Sequence, residues 1–453
     1  MTAIALDDSK QRTRRAPRAK ERPHKPDQDK LAIEIARDLK GKVGHFYGDW
    51  HVYEQGIWRP RVEQYVVQYV REQLRAYRHL GVSVTYGLCK GVVKLMEGDF
   101  IVSDSDSNAL AVEKRKYIPL KNGLYNLETH ELEPHNPEWY FTNLLDFDYN
   151  PTADCPTYRQ FKRTSLVDAS SQSDFMLSVL LDEALAYSMT ARTDLKASFW
   201  LVGKPDSGKS TFIGFVRALM GQFHTTIDLN RLAGNQFILS SIVGKRIVTT
   251  TEAESGGVLP DGLYKALVGG ADEVWADVKN KPGISFVPEA KLWWAMNEAP
   301  RVVDRSGATH NRLYPILFNR TIPVEERKAG LLDALIAERS GIFNVLMSAY
   351  KNLTHIGRLT LPDQCKAWLD EFRLESDTER TFLTEQCELN ADFRIGSEDL
   401  YRAYKLWCEE FGFRPKNVNQ TVKDWERLGL KRYRSNGRTF WKGAKLREST
   451  RAF

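Results

Sequence analysis

Eight consecutive residues, Gly203-Lys204-Pro205-Asp206-Ser207-Gly208-Lys209-Ser210, read G-x-x-x-x-G-K-S, with Thr211 directly after. That spacing suits one chemistry, the wrapping of a phosphate chain. Gly203 and Gly208 let the backbone turn so tightly that successive N–H groups point inward. Lys209 reaches the β- and γ-phosphates, and the Ser210 hydroxyl is placed for Mg²⁺. The cofactors expected are therefore ATP and Mg²⁺, held by Gly203 to Thr211. The flanking sequence supplies the supports. Phe199–Val202 is an apolar strand-like run, and Phe212, Phe215, Val216 and Leu219 recur at the spacing of one buried helix face. A helix starting at this loop aims its positive dipole end at the same anion.

Binding is not hydrolysis. Cleavage of a phosphoanhydride needs an acid on Mg²⁺ and water, a polar group at the γ-phosphate, and usually an arginine for the developing charge. Ile247–Thr251 is a β-branched run that ends on Glu252, with Glu254 two residues later. Glu252 is the candidate metal-holding acid together with Ser210; Glu254 is a second candidate, and a solvated loop acid is the plain alternative for each. Leu292–Met296 is an apolar run that ends on Asn297, whose amide could meet the γ-phosphate or a water, or close a turn. Arg312, ahead of strand-like Tyr314–Phe318, is the candidate arginine, with Arg301 and Arg305 as competitors.

These groups need a scaffold, and the 453-residue chain has room for several domains. Its hydrophobic share of 42% and charged share of 27% are those of a globular protein. The most apolar stretch, Phe175–Met189, is interrupted by Asp182 and Glu183, so no membrane association is expected. Five scattered cysteines without a C-x-x-C pair argue against a disulfide scaffold and fit a reducing cytoplasm. Residues 1–30 are charged, carry prolines and lack large apolar side chains, so a disordered basic tail is expected. An N-terminal domain over 31–180 follows, with helix-like Ile33–Leu39 and Val62–Leu80 and an aromatic hairpin at His45–Trp58. The motor occupies 181–343, a helical connector 344–381, and a small basic domain 382–453. From Phe411 to the end there are 12 Lys and Arg against 3 acidic residues, while the rest is near neutral. That skew is the footprint of a nucleic-acid partner.

In the last domain, Ser397 followed by Glu398 and Asp399 starts a helix with Leu400, Tyr401, Tyr404, Trp407 and Cys408 inward. A second helical pattern over Val418–Leu428 stops at Gly429, and Asn436-Gly437 sits between two β-prone runs, a hairpin signal. Helices before a basic hairpin read as a winged helix. Lys431, Arg432, Arg434 and Arg438 are then the candidate DNA phosphate contacts, with packing on a neighbouring subunit as the alternative.

The order of these motifs resembles the superfamily 3 helicase module of phage and plasmid primase-helicases, including the poxviral primase-helicase. The resemblance runs from about His45 to Leu446. It rests on Lys121–Leu127 with Pro134–Pro137 and Asp148–Pro151, similar to the helicase-associated domain; on the phosphate loop; on Gly244-Lys245-Arg246 leading to Glu252; on Lys265–Gly270 with Phe286-Val287-Pro288; and on Asn297–Pro300 followed by Arg312. It implies an α/β fold: an AAA+-like P-loop NTPase motor with an N-terminal α+β helicase-associated domain and a C-terminal winged helix. It also implies a homo-oligomer, a hexameric ring with ATP at subunit interfaces and Arg312 acting in trans. Single-stranded DNA would lie in the channel, gripped by Lys279 and Lys281 of a hairpin. Ala271, between Gly270 and Asp272, and Asp277 depart from the family pattern. Two D-x-D pairs, Asp104/Asp106 and Asp146/Asp148, leave too little chain around them for a separate primase, which is expected as a partner alongside a polymerase. The function expected is an ATP-dependent helicase of phage- or plasmid-type replication acting on forked duplex, in the bacterial cytoplasm if phage-encoded. A non-unwinding origin-binding initiator with an ATP-controlled switch, and a small-molecule phosphotransferase, are the alternatives.

Overall fold

The computed structural model describes residues 27–46, 49–100, 113–168, 170, 172–228, 237–250, 261–269, 273–278, 283–300, 309–375, 377–411, 413 and 415–447. Residues up to Lys114 together with His135–Asn143 form one compact unit; Arg115–Pro134 and the chain from Leu144 onward form the other.

The first unit contains α1 (Gln28–Leu39), an antiparallel sheet β1 (Val43–Phe46), β2 (Asp49–Glu54) and β3 (Ile57–Arg61), then α2 (Glu63–Arg75) and α3 (Tyr86–Met96). Leu31, Ile35 and Leu39 recur every fourth residue and bury against Val66, Val70, Leu74, Val92 and Met96. The aromatic segment expected to be a hairpin is three-stranded. The Trp58 indole donates to the Pro137 carbonyl at 2.8 Å, and its ring stacks on Tyr140, which binds residues 135–143 into this unit.

The second unit opens with β4 (Tyr117–Leu120), β5 (Gly123–Asn126) and β6 (Leu132–Glu133), followed by α4 (Pro156–Ser165) and α5 (Phe175–Met189). A nucleus of alternating strands and helices comes next: β7 (Ser198–Gly203), α6 (Lys209–Met220), β8 (His224–Ile227), α7 (Phe237–Ser240), β9 (Ile247–Thr250) and α8 (Asp261–Gly269). A short antiparallel pair, β10 (Val274–Ala276) with β11 (Ile284–Phe286), precedes β12 (Lys291–Met296) and β13 (Leu313–Phe318). The central sheet runs β13-β7-β12-β9-β8 and every neighbouring pair is parallel. Parallel strands are covered on both faces, which is why β7 and β12 read as unbroken apolar runs rather than alternating ones. Trp200, Trp293 and Phe199 are fully buried there.

Two domain boundaries move. Ile118, Leu120, Tyr125, Leu145 and Phe147 share one core with the central sheet, so the division falls near residue 114 rather than at 180. After α9 (Leu331–Ala337), α10 (Arg339–Ile356) and α11 (Asp363–Glu375) send Leu346, Leu353, Leu369 and Phe372 into that same core. The segment expected to be a connector is thus a structural layer on the central sheet. A separate core forms from α12 (Thr378–Gln386), β14 (Cys387–Gly396), α13 (Ser397–Glu410), α14 (Val418–Arg427), β15 (Lys431–Ser435) and β16 (Arg438–Leu446), around Phe382, Trp407, Trp425 and Trp441. The hairpin β15–β16 is present, and the unforeseen β14 pairs with β16 to make a third strand.

Two stability predictions follow from the sheet. A Cβ on Gly203 would sit 2.1 Å from the Phe318 carbonyl oxygen across the β7–β13 pair, at φ +155°. Gly203→Ala is expected to cost about 3 kcal/mol in a urea titration. On the far edge, His224 Nε2 meets Thr249 Oγ1 at 2.8 Å. Burial, assisted by Arg217 and Lys245, pushes its pKa down to about 4 from 6.5. As pH falls below 6.5 the unfolded chain takes up this proton first, so stability is lost between pH 6.5 and about 4. The melting temperature should fall across that window, and more shallowly in His224→Gln.

Candidate functional site

Strand β7 ends at Gly203, and five residues turn before α6 begins at Lys209. Asp206 and Gly208 take left-handed backbone conformations, φ +56° and +98°. For Gly208 the space is also tight: a Cβ would lie 3.3 Å from the Phe161 ring and from Ser165 Oγ on α4. The first amides of α6, at Lys209 to Thr211, lie where a helix offers no internal acceptor, and they carry the positive dipole end. Lys209 is buried, and its Nζ donates to the carbonyls of Gly203 and Lys204, both at 2.7 Å, and to Ser207 Oγ at 3.2 Å. This ammonium is folded onto its own loop. An anion entering the loop offers it stronger, charge-assisted acceptors.

A cleft of about 700 Å³ opens beside the loop. Its floor is the loop itself, with Asn297 one residue past the end of β12. One wall is α4, through Thr157, Gln160, Phe161 and Thr164; the other is the chain after β13, through Ile322, Arg327, Lys328 and Leu331. Helix α4 is anchored from two sides. Glu338 accepts from the backbone N–H groups of Thr157 (2.9 Å) and Tyr158 (3.0 Å), capping the helix. The Tyr158 hydroxyl donates to Asp182 Oδ1 at 2.7 Å, and Lys162 pairs with the other carboxylate oxygen. Burial pushes the Asp182 carboxyl up, against the pull of Lys162 and Tyr158. The aromatic face of α4 lies on α6, Phe161 stacking with Phe212 at 5.9 Å between centroids.

The sequence-predicted residues distribute unevenly. Lys204, Pro205, Asp206 and Ser210 are exposed around the loop, Ser207 and Lys209 are buried, and Asn297 joins them in the cleft. Strand β12 separates β7 from β9, so Asn297 belongs to the strand next to the loop, and β9 lies one strand further out. Glu252 and Glu254, just beyond β9, fall outside the described residues, as do Lys279, Lys281, Arg301, Arg305 and the Asp104/Asp106 pair. Arg312 is not brought to the cleft. It precedes β13, where Leu313 pairs with Ser198 at the start of β7, and its carbonyl accepts from Ser198 Oγ at 3.1 Å. The length of β7, roughly 16 Å at 3.3 Å per residue, separates that end from the loop. Sequence reading missed α4, Arg327 and Lys328; the Arg-Lys pair soon after an apolar strand was the available signal.

The C-terminal sheet carries a second candidate surface. Arg394, Lys442 and Lys431 stand directly opposite one another across β14, β16 and β15, all exposed. Like charges in register repel, so this row favours a polyanion laid over it. Beside it Tyr433 stacks on Phe440 at 5.7 Å, with the Arg394 guanidinium 5.9 Å from the Tyr433 ring. Arg438 shares that face, opposite Ser435. Arg432 stands opposite buried Trp441, and Arg434 opposite Thr439, so both belong to the other face while remaining exposed.

Comparison with known proteins bears on both surfaces. Residues 35–166 match the D5 N terminal like family, and residues 201–312 match a family of unknown function, DUF5906. The chain is 22% identical over 366 residues to "Putative helicase V13" of the Sputnik virophage, across 73% of this chain and 45% of the relative, so it spans about half of that protein's length. Two solved apo structures of the NrS-1 C terminal region share the fold. One gives a TM-score of 0.51 at 11% identity, the other 0.50 at 12%, each covering 92% of this chain and 99% of the other. The D5-type match and the helicase relative together support a likeness to the phage-type primase-helicase family, and the solved structures show a shared fold.

Proposed function

We propose that this chain is the motor of a phage-type replication helicase, an AAA+-like ATPase that translocates on single-stranded DNA as a ring. The observation that carries this reading is the convergence of Lys209, Ser210 and Asn297 on one cleft at the carboxyl end of a parallel sheet whose loop and sensor strands are neighbours. Nucleotides bind at that end of such sheets. The phosphates would lie in the loop, and the base and ribose between α4 and the Ile322–Leu331 segment. Mg²⁺ would be held by the Ser210 hydroxyl and Glu252, oxygen donors suited to a hard cation, and would neutralise charge on the transferred phosphoryl group. Asn297 would orient the γ-phosphate or water, and Glu254 would be a second catalytic acid.

The position of Arg312 at the opposite end of β7 favours use in trans. It is too far from its own loop to meet the same nucleotide, and a homo-oligomer, a hexamer in this reading, would let it serve a neighbour's. The basic C-terminal domain, a winged helix in this reading, and the Lys279/Lys281 hairpin would contact DNA at a fork. Partner primase and polymerase functions would come from outside the described domains. A second reading, an origin-binding initiator whose ATP site is only a switch, is favoured by the same basic sheet and predicts duplex binding without unwinding.

Three measurements test this. Purified protein with Mg²⁺ should hydrolyse ATP faster when single-stranded DNA is added, and Lys209→Ala should lower kcat at least about 100-fold. A forked-duplex assay separates the readings: unwinding supports the helicase, and DNA-stimulated ATPase without unwinding supports the initiator. Replacing Arg394 and Lys442 together by Ala should weaken DNA binding at all sequences and reduce the slope of log K against log salt by about two.

A further inference from the structure

One ion pair joins the loop to the segment after β13 where both line the cleft. Asp206 is a carboxylate inside the phosphate loop, where its charge opposes any incoming anion. Its backbone is fixed: φ is +56°, and its carbonyl accepts from Ile322 N–H at 2.9 Å. Thr321 Oγ1 donates to the neighbouring Pro205 carbonyl at 3.4 Å. Asp206 is therefore anchored through its backbone beside the segment that follows β13. Arg327 closes on it from that segment, with Nη2 3.0 Å from Asp206 Oδ2. The same guanidinium donates through Nε to the Ile322 carbonyl at 3.1 Å, which holds its root and leaves further donors on a residue that lines the cleft.

The pair is half-open to water, with 44% of the Arg327 side chain and 61% of the Asp206 side chain exposed. An exposed pair of this kind is weak and exchanges partners readily. Phosphate oxygens offer a guanidinium bidentate, charge-assisted bonds that a single carboxylate oxygen does not match. We infer that Asp206 and Arg327 form a charge gate over the loop, in which Arg327 masks the carboxylate when the loop is empty and turns to the polyphosphate when a nucleotide enters. Arg327 is then a positioning and binding arginine supplied by the same chain as the loop, whereas Arg312 stands at the other end of β7. This inference rests on the nucleotide reading of the cleft.

The test is titration of the full chain with a fluorescent ATP analogue, mant-ATP, in Mg²⁺ buffer. Arg327→Ala should weaken binding about tenfold, the scale of a lost hydrogen bond to a charged group. Asp206→Asn should tighten it about threefold, because repulsion is removed and Arg327 is released, and the double variant should bind more tightly than Arg327→Ala alone. A pair that only braces the loop predicts a different pattern, since either substitution breaks it and both should weaken binding alike; that outcome overturns the gate, as does Arg327→Ala binding like the wild type. Both side chains are exposed, so thermal melting should be near wild type; should Arg327→Ala fail to fold, Arg327→Lys replaces it and should weaken binding to a lesser degree. Lys209→Ala separates the two levels of failure. If it binds mant-ATP normally, the nucleotide reading falls; if it loses binding while Asp206→Asn and Arg327→Ala both weaken it, only the gate falls.

Discussion

The parallel register of three strands governs the arrangement. β7 lies between β12 and β13, and at Gly203 its backbone comes so close to the Phe318 carbonyl that no side chain fits. Because these strands run in the same direction and end at the same level, whatever follows each of them emerges on one edge. After β7 that is the glycine-bearing loop, after β12 it is Asn297, and after β13 it is the segment carrying Arg327. Residues separated by more than 120 positions in sequence thus meet in one cleft. By the same geometry, what precedes β13 emerges on the opposite edge, which is where Arg312 stands.

The cleft also depends on a helix that belongs to neither the loop nor the sheet. α4 is held by a buried carboxylate, Asp182, shared between Tyr158 and Lys162, and by the remote cap from Glu338. A buried pair of this kind adds little net stability over an apolar replacement, yet removing one partner strands the other, at about 3–5 kcal/mol. Its effect is to permit a single placement. The helix cannot slide along α5 without separating the charge from its partners, and so the wall of the cleft keeps its distance from the Gly203–Lys209 loop.

Much of this was legible in the chain. The loop carries its own signature because Gly203 and Gly208 stand where a side chain would be crowded and strained, and the buried strands announce themselves as apolar runs. The hairpin at Asn436-Gly437 was equally plain, since few residue pairs accept its backbone. What could not be read depended on contacts between distant segments. Asp182 and Glu183 look like charges that interrupt an apolar helix, yet both are buried and satisfied, Glu183 by the Thr360 backbone and hydroxyl at 2.7 and 3.1 Å. The layer formed by α10 and α11 reads as a connector because its leucines look alike whether they face a partner helix or a sheet. Strand β14 was missed although Cys387–Ile395 alternates apolar and polar residues, the period of a half-buried strand; what the sequence alone does not show is its pairing with β16.

The cation row of the C-terminal sheet has a consequence for how that domain responds to its surroundings. Arg394 and Lys431 each stand one strand spacing, about 5 Å, from Lys442, inside the roughly 8 Å over which physiological salt screens charge. Their mutual repulsion is a standing load on the fold. Added salt relieves it, so the cost of this row falls with ionic strength, opposite in sign to the domain's ion pairs such as Lys416–Glu379 and Arg427–Asp377. A bound polyanion relieves the load more completely than free ions do. The row therefore costs the sheet least when its charge is covered, so the fold and any anion laid on it are energetically coupled.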